Sequence, residues 1–168
     1  MLLHHARRAA RFDADGEIVL LADQDPELWD EDEIAEGRAR LDRALALRGR
    51  GSYALQAAIA SLHTERECDW AEVAALYGEL SRLTGSPVVE LNRAVAVAEV
   101  EGPDAALAIA DGLEPDLGGY HYLHAARADF LRRLERDAEA RDAYERALGL
   151  VADPAEHRLL ERRLAELG

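Results

Sequence analysis

The sequence predicts an all-α fold: a solenoid of antiparallel helix pairs with about nine helices. Composition comes first. Of 168 residues, 33 are alanine and 26 are leucine, and only 5% are aromatic. Alanine and leucine head the helix scale, whereas the β-branched and aromatic residues that suit strands are scarce. Periodicity comes second. At steps of 34 residues, Arg93 leads to Arg127, Ala94 to Ala128, Val97 to Leu131, Val100 to Leu134 and Ala106 to Ala140. Punctuation comes third. Asp69, Ser86, Asp137 and Asp153 stand where N-caps are expected, with Pro87, Pro103 and Pro154 at first-turn positions. Gly49, Gly51, Gly85, Gly102, Gly118 and Gly119 mark turns. The length suits a single domain over 1–168, and the 49% apolar share suits a real core.

In chain order, residues 1–12 read as a helix from the first residue with no cap before it, which fits a fragment whose upstream helix has been removed. Residues 13–25 break the helical pattern. Asp15 and Gly16 are turn formers and residues 18–21 (IVLL) are a β-like run, so an irregular or short hairpin-like segment laid across the helices is expected. Residues 30–47, with Leu41, Ala44, Leu45 and Leu47, read as the helix that partners the first, completing an N-terminal part over 1–48. Spans 52–84, 86–113 and 119–152 each read as a helix pair. Residues 153–168 read as a capping helix with Leu159, Leu160, Leu164 and Leu167 on its apolar face, since a solenoid end needs a polar outer surface.

The period and residue choices resemble those of tetratricopeptide (TPR) repeats. Residues 120–154 supply Ala128, Ala140, Tyr144, Ala147 and Pro154 in the expected order. The repeat before it keeps Ala94 and Ala106 but has Ala110 in the aromatic position. The one before that holds Ala60, Trp70, Val73 and Tyr77 with one extra residue in its turn. The small residues have a mechanical role: paired helices approach closely only where side chains are short.

Charge narrows the function. The net charge is −14, all 20 basic residues are arginine, and residues 13–36 hold eleven acids and no base. Such a chain gains nothing from counterion release, so direct nucleic-acid binding is not expected. No apolar run reaches the ~20 residues of a membrane span, and no signal peptide is evident. The single cysteine, Cys68, fits a reducing compartment, and a cytoplasmic location is the expectation.

Catalytic and metal chemistry find little support. A calcium loop through Asp13, Asp15 and Gly16 would need an acid where Arg11 stands and a glutamate where Ala22 stands. His121 and His124 are spaced to share a helix face, but zinc needs three or four ligands. Tyr120 and His124 are instead expected to pack between helices with polar tips near the surface. His63 and Cys68 flank a turn, yet nothing orients such a base. No phosphate loop or nucleophile elbow is present. The expectation is a non-enzyme with no cofactor and no metal.

Binding remains. The candidates are Asn92, at a position where TPRs often hydrogen-bond a ligand backbone, Arg93 and Arg127 at equivalent repeat positions, and Tyr120 and His124. Arg158 and Arg162 on the last helix and the acidic run Asp30, Glu31, Asp32 and Glu33 complete the set. Two readings of the repeat arginines stay open: a ladder along one face, or pairing with carboxylates such as Glu90, Glu99 or Asp129.

Several blocks resemble one bacterial family: residues 2–11 (LLHHARRAAR), 13–21 (DADGEIVLL), 23–25 (DQD) with Trp29 and Asp30, 86–98 (SPVVELNRAVAVA), 119–129 (GYHYLHAARAD) and 160–164 (LERRL). They are similar to the C-terminal extension of extracytoplasmic-function (ECF) sigma factors that carry a TPR-like tail. The resemblance implies a regulatory tail that contacts the sigma core or RNA polymerase to modulate transcription initiation. It also implies a parent that binds promoter DNA through region 2 and region 4 modules, neither of which is in this sequence. The alternative is a free-standing TPR adaptor for a peptide of an unrelated protein. The sequence assigns no oligomeric state.

Overall fold

The computed structural model describes residues 1–47 and 51–167. Among them the protein is all-α, with ten α-helices in two compact units, Met1–Gly85 and Ser86–Gly168. The expected turn glycine Gly49 and the terminal Gly168 lie outside the described residues.

The first unit contains α1 (Leu2–His5), α2 (Glu31–Ala46), α3 (Ser52–Leu62) and α4 (Trp70–Thr84). The helix expected across residues 1–12 is only one turn long, followed by a 3₁₀ turn over Arg8–Ala10. The reason is a diverted carbonyl. Ala6 accepts from the Asp30 N–H at 2.9 Å, so its oxygen does not continue the helix, while Ala10 N–H turns back to Arg7 at 3.1 Å. Between α1 and α2 the chain forms the short hairpin-like feature, an antiparallel bridge of Phe12 with Ile18. Asp13 closes its turn by accepting from the Asp15 and Glu17 N–H groups, both at 2.9 Å.

Leu3, Ala6, Ile34 and Ala60, with Trp29 against them, form this unit's apolar centre. Gly37 permits the close approach. A Cβ there would sit 2.8 Å from both Cγ and Cδ2 of Leu3. Asp30 caps α2 by accepting from the Glu33 N–H at 3.0 Å, and Asp69 caps α4 through the Glu72 N–H at 3.0 Å. Gly85 ends α4 in the left-handed conformation that glycine adopts without a Cβ penalty.

The second unit contains α5 (Pro87–Val100), α6 (Pro103–Gly112), α7 (Glu114–Leu117), α8 (His121–Arg133), α9 (Asp137–Leu148) and α10 (Pro154–Ala165). Helices α5 with α6 and α8 with α9 form successive pairs, and α10 packs on α9. The alanines at 34-residue steps hold these pairs together. Ala94, Ala106, Ala128 and Ala140 are each 0% exposed, as are Ala110 and Ala147. Leu123, Phe130 and Tyr144 fill the space between them.

One cap differs from expectation. Asp137 is the first helical residue of α9 rather than its cap, which is Arg136. The turn is tightened by Glu135 at φ 58° and by the Arg136 N–H bonding to Leu131 at 3.0 Å, which moves the helix start back one residue. Asp137 and Glu139 then lie in the first turn, where their charge opposes the positive end of the helix dipole. Asp153 does cap α10, accepting from the Ala155 and Glu156 N–H groups at 2.9 and 3.0 Å. Asp153→Ala is expected to cost about 1 kcal/mol. That is about 2–4 °C in thermal midpoint, read by circular dichroism.

Candidate functional site

In the second unit the first helices of successive pairs are stitched together at repeat-equivalent positions. Arg133 donates to Glu99 at 2.6 Å, 34 residues away, and to the Ala98 carbonyl at 2.9 Å. Glu156 joins α8 to α10 in the same way: one carboxylate oxygen meets His121 Nε2 at 2.9 Å and the other accepts from the Tyr122 hydroxyl. That hydrogen bond, aided by partial burial, pushes the Tyr122 phenol well above its ordinary range. Tyr120 stacks at an angle on this group, its ring 5.1 Å from Tyr122 and 5.8 Å from His121.

These links tie α5 to α8 and α8 to α10. On α5, residues spaced by four and three place Val88, Asn92 and Val95 together. All three are exposed, the two valines by 37% and 41%. The face therefore offers apolar contact around one amide. A side chain such as Asn92 supplies both a donor and an acceptor there.

The repeat arginines are paired rather than stacked into a ladder. Arg93 donates twice to Glu90, at 2.9 and 2.6 Å, and that contact holds its guanidinium more firmly protonated than usual. Arg127 pairs with Asp111 at 2.7 Å. Glu99 and Asp129, the other expected partners, are taken by Arg133 and Arg132. Arg158 and Arg162 lie exposed on α10.

His124 departs from the expected placement. It is 0% exposed, with no polar tip at the surface. Its Nε2 meets the Gly118 carbonyl at 2.8 Å, so this nitrogen carries the proton, and Nδ1 is buried without a partner among the described residues. His121 and His124 thus point to different partners. No group of three metal-ligating side chains occurs among the described residues.

In the first unit the four acids at the start of α2 divide into two kinds. Asp30 caps the helix and lies 3.6 Å from Arg8, and Glu33 binds His5 Nδ1 at 2.8 Å and Arg8 at 3.2 Å. Glu31 and Asp32 are exposed. A hollow of about 540 Å³ opens between α1, α2 and the start of α3, its wall formed by Leu2, Leu3, Leu41 and Ala44. Burial, with Glu65 and Asp69 nearby, pushes the Cys68 thiol up, which leaves it a poor nucleophile.

Sequence reasoning missed Tyr122, Arg133 and Glu156. The signal was present, because Glu99 to Arg133 and Tyr122 to Glu156 are both 34-residue steps.

The fold and this face define an all-α helical-repeat protein. No described helix is long and apolar enough to cross a membrane. Residues 1–45 match a family of unknown function, DUF6596. An uncharacterized protein of Rhizobium meliloti (strain 1021) is 47% identical over 171 residues, an alignment covering 99% of this chain and 40% of that protein. The chain thus spans about 40% of the length of the curated relative it matches. No solved structure matches it.

Proposed function

We propose that this chain is the non-catalytic C-terminal regulatory domain of an ECF sigma factor, contacting the sigma core or RNA polymerase to modulate initiation. The observation that carries the reading is the linking of α5 to α8 and of α8 to α10 by side chains one repeat apart, with Val88, Asn92 and Val95 exposed on α5. An ordered helix face of this kind suits a polypeptide partner, and a net charge of −14 favours a basic one. The resemblance of blocks in residues 2–30 and 86–129 to ECF sigma-factor tails is the support for a sigma core or RNA polymerase as that partner. The Rhizobium relative is more than twice as long as the region it shares, as expected of a protein holding a further module.

The test is titration calorimetry of the full 168-residue chain against a separately purified sigma core and against core RNA polymerase. Saturable binding to either supports the reading. A folded chain that binds neither overturns it. The charge contribution is read with Glu31→Arg combined with Asp32→Arg, because these two acids are exposed, whereas Asp30 and Glu33 hold the start of α2. Two exposed charges are each worth about 0.2–1 kcal/mol in a contact. The double reversal is therefore expected to weaken binding about fivefold to tenfold, chiefly through the association rate and more at low salt. Unchanged affinity in a folded variant would exclude this segment from the interface.

A further inference from the structure

Arg7 is the one arginine, and the one formally charged side chain, that is buried among the described residues, at 7% exposure. A buried cation without a counter-charge costs several kcal/mol, so such groups are normally paired. Arg7 has no carboxylate partner among the described residues, in a chain that carries 34 acids. Its recorded side-chain hydrogen bond is neutral, Nη1 donating to Gln24 Oε1 at 3.4 Å. Gln24 is itself held in place by donating to the Val19 carbonyl at 3.3 Å. The guanidinium Nε is buried with no hydrogen-bond partner among the described residues. The edge left over is the one through Nε and Nη2, which can grip an oxyanion side-on with two parallel bonds.

The surroundings repeat the pattern. Arg7 lies within electrostatic reach of Arg11, Cys68 and Tyr77, and His63 within reach of Arg7 and His4. His63 follows α3, its ring packs 5.7 Å from Trp70, and its Nε2 is also buried without a partner among the described residues. Burial first, then Arg7 and His4, push His63 down to about 4, so it is neutral near pH 7. The hairpin-like segment, the start of the chain, the end of α3 and α4 therefore bring charged and neutral donors into one neighbourhood, with no carboxylate paired to Arg7 among the described residues. His4 and Arg11 are exposed beside it.

The geometry points to a binding site for a small oxyanion, a phosphate or a carboxylate, seated on the Nε–Nη2 edge of Arg7 with His63 beside it. Arg7 supplies the charge and the bidentate geometry, and Gln24 fixes the plane of the guanidinium. The bound anion supplies the counter-charge that the chain withholds. This inference does not depend on the transcriptional reading.

The test uses the full chain with inorganic phosphate and with acetate, each against chloride at equal ionic strength. At anion concentrations ~100 times Kd, a saturable rise of about 5 °C in thermal midpoint is expected. Phosphate and acetate acting alone or together each support the site and distinguish its sources. Arg7→Met, which keeps the aliphatic stem, is expected to abolish the rise while leaving the anion-free midpoint no lower than that of the parent. His63→Gln, should Arg7→Met fail to fold, is expected to weaken the effect about fivefold. The parent chain itself gives a third readout by NMR: the bound anion raises the His63 pKa by about one pH unit. No stabilisation beyond chloride, a rise that survives Arg7→Met, or a His63 pKa unmoved by anion overturns the proposal.

Discussion

Phe130→Ala is expected to remove about 3–5 kcal/mol from the stability of the second unit, read by urea unfolding of the parent and variant chains. Phe130 is 2% exposed and belongs to a cluster with Leu123, Leu131, Ala140 and Tyr144. The cost combines the lost transfer energy of the ring with the cavity it leaves, because neighbours that are already close-packed relax only in part. Natural domains have only about 5–15 kcal/mol to lose. A variant losing less than about 1 kcal/mol would show that α8 and α9 collapse onto the vacated space and that the ring is not a structural pivot.

Ala140→Leu is expected to destabilise the same unit for the opposite reason. Ala140 is 0% exposed at the start of α9, where that helix packs on α8. Three added carbons must displace neighbours or force strained rotamers, at a cost of about 1–3 kcal/mol. The control is Ala138→Leu, two residues earlier and so on the opposite face of α9, where the parent residue is exposed. Its effect should stay within about 0.5 kcal/mol. Leucine and alanine are both strong helix formers, so helix propensity contributes little to the difference. Equal effects at the two sites would mean that the 34-residue alanine pattern does not mark the helix contact.

The helix pairs were legible because the signals for them are local or periodic. The prolines at 87, 103 and 154 and the caps at 69 and 153 act within a few residues of themselves, and all five stand at helix starts. The alanine steps report a repeated steric need, and each stepped alanine is fully buried. Residues 1–12 depart from the expected helix for a non-local reason. The Ala6 carbonyl that ends α1 is claimed by an N–H 24 positions later, which no short-range pattern contains. His124 shows the same limit: spacing put it on a helix face but not the Gly118 carbonyl that lets it be buried.

Of the candidate contacts, the sequence identified the residues and left their pairing open. Arg93 has its partner three residues away, whereas Arg127 takes Asp111 from α6, 16 residues back in the chain. The acidic run looked uniform, yet its four members split into a cap, an ion-pair anchor and two exposed charges.

By itself the sequence determined an all-α chain, its helix spacing and the small residues at helix contacts, because propensity, capping and steric period are written within one or two repeats. The tertiary structure alone decided which charges are spent inside the fold. It ties Glu33 to Arg8, joins Glu156 to Tyr122 and His121, and buries Arg7 without a carboxylate. Electrostatic partnership depends on distance and burial in three dimensions, and residues far apart in sequence acquire both only when the helices pack.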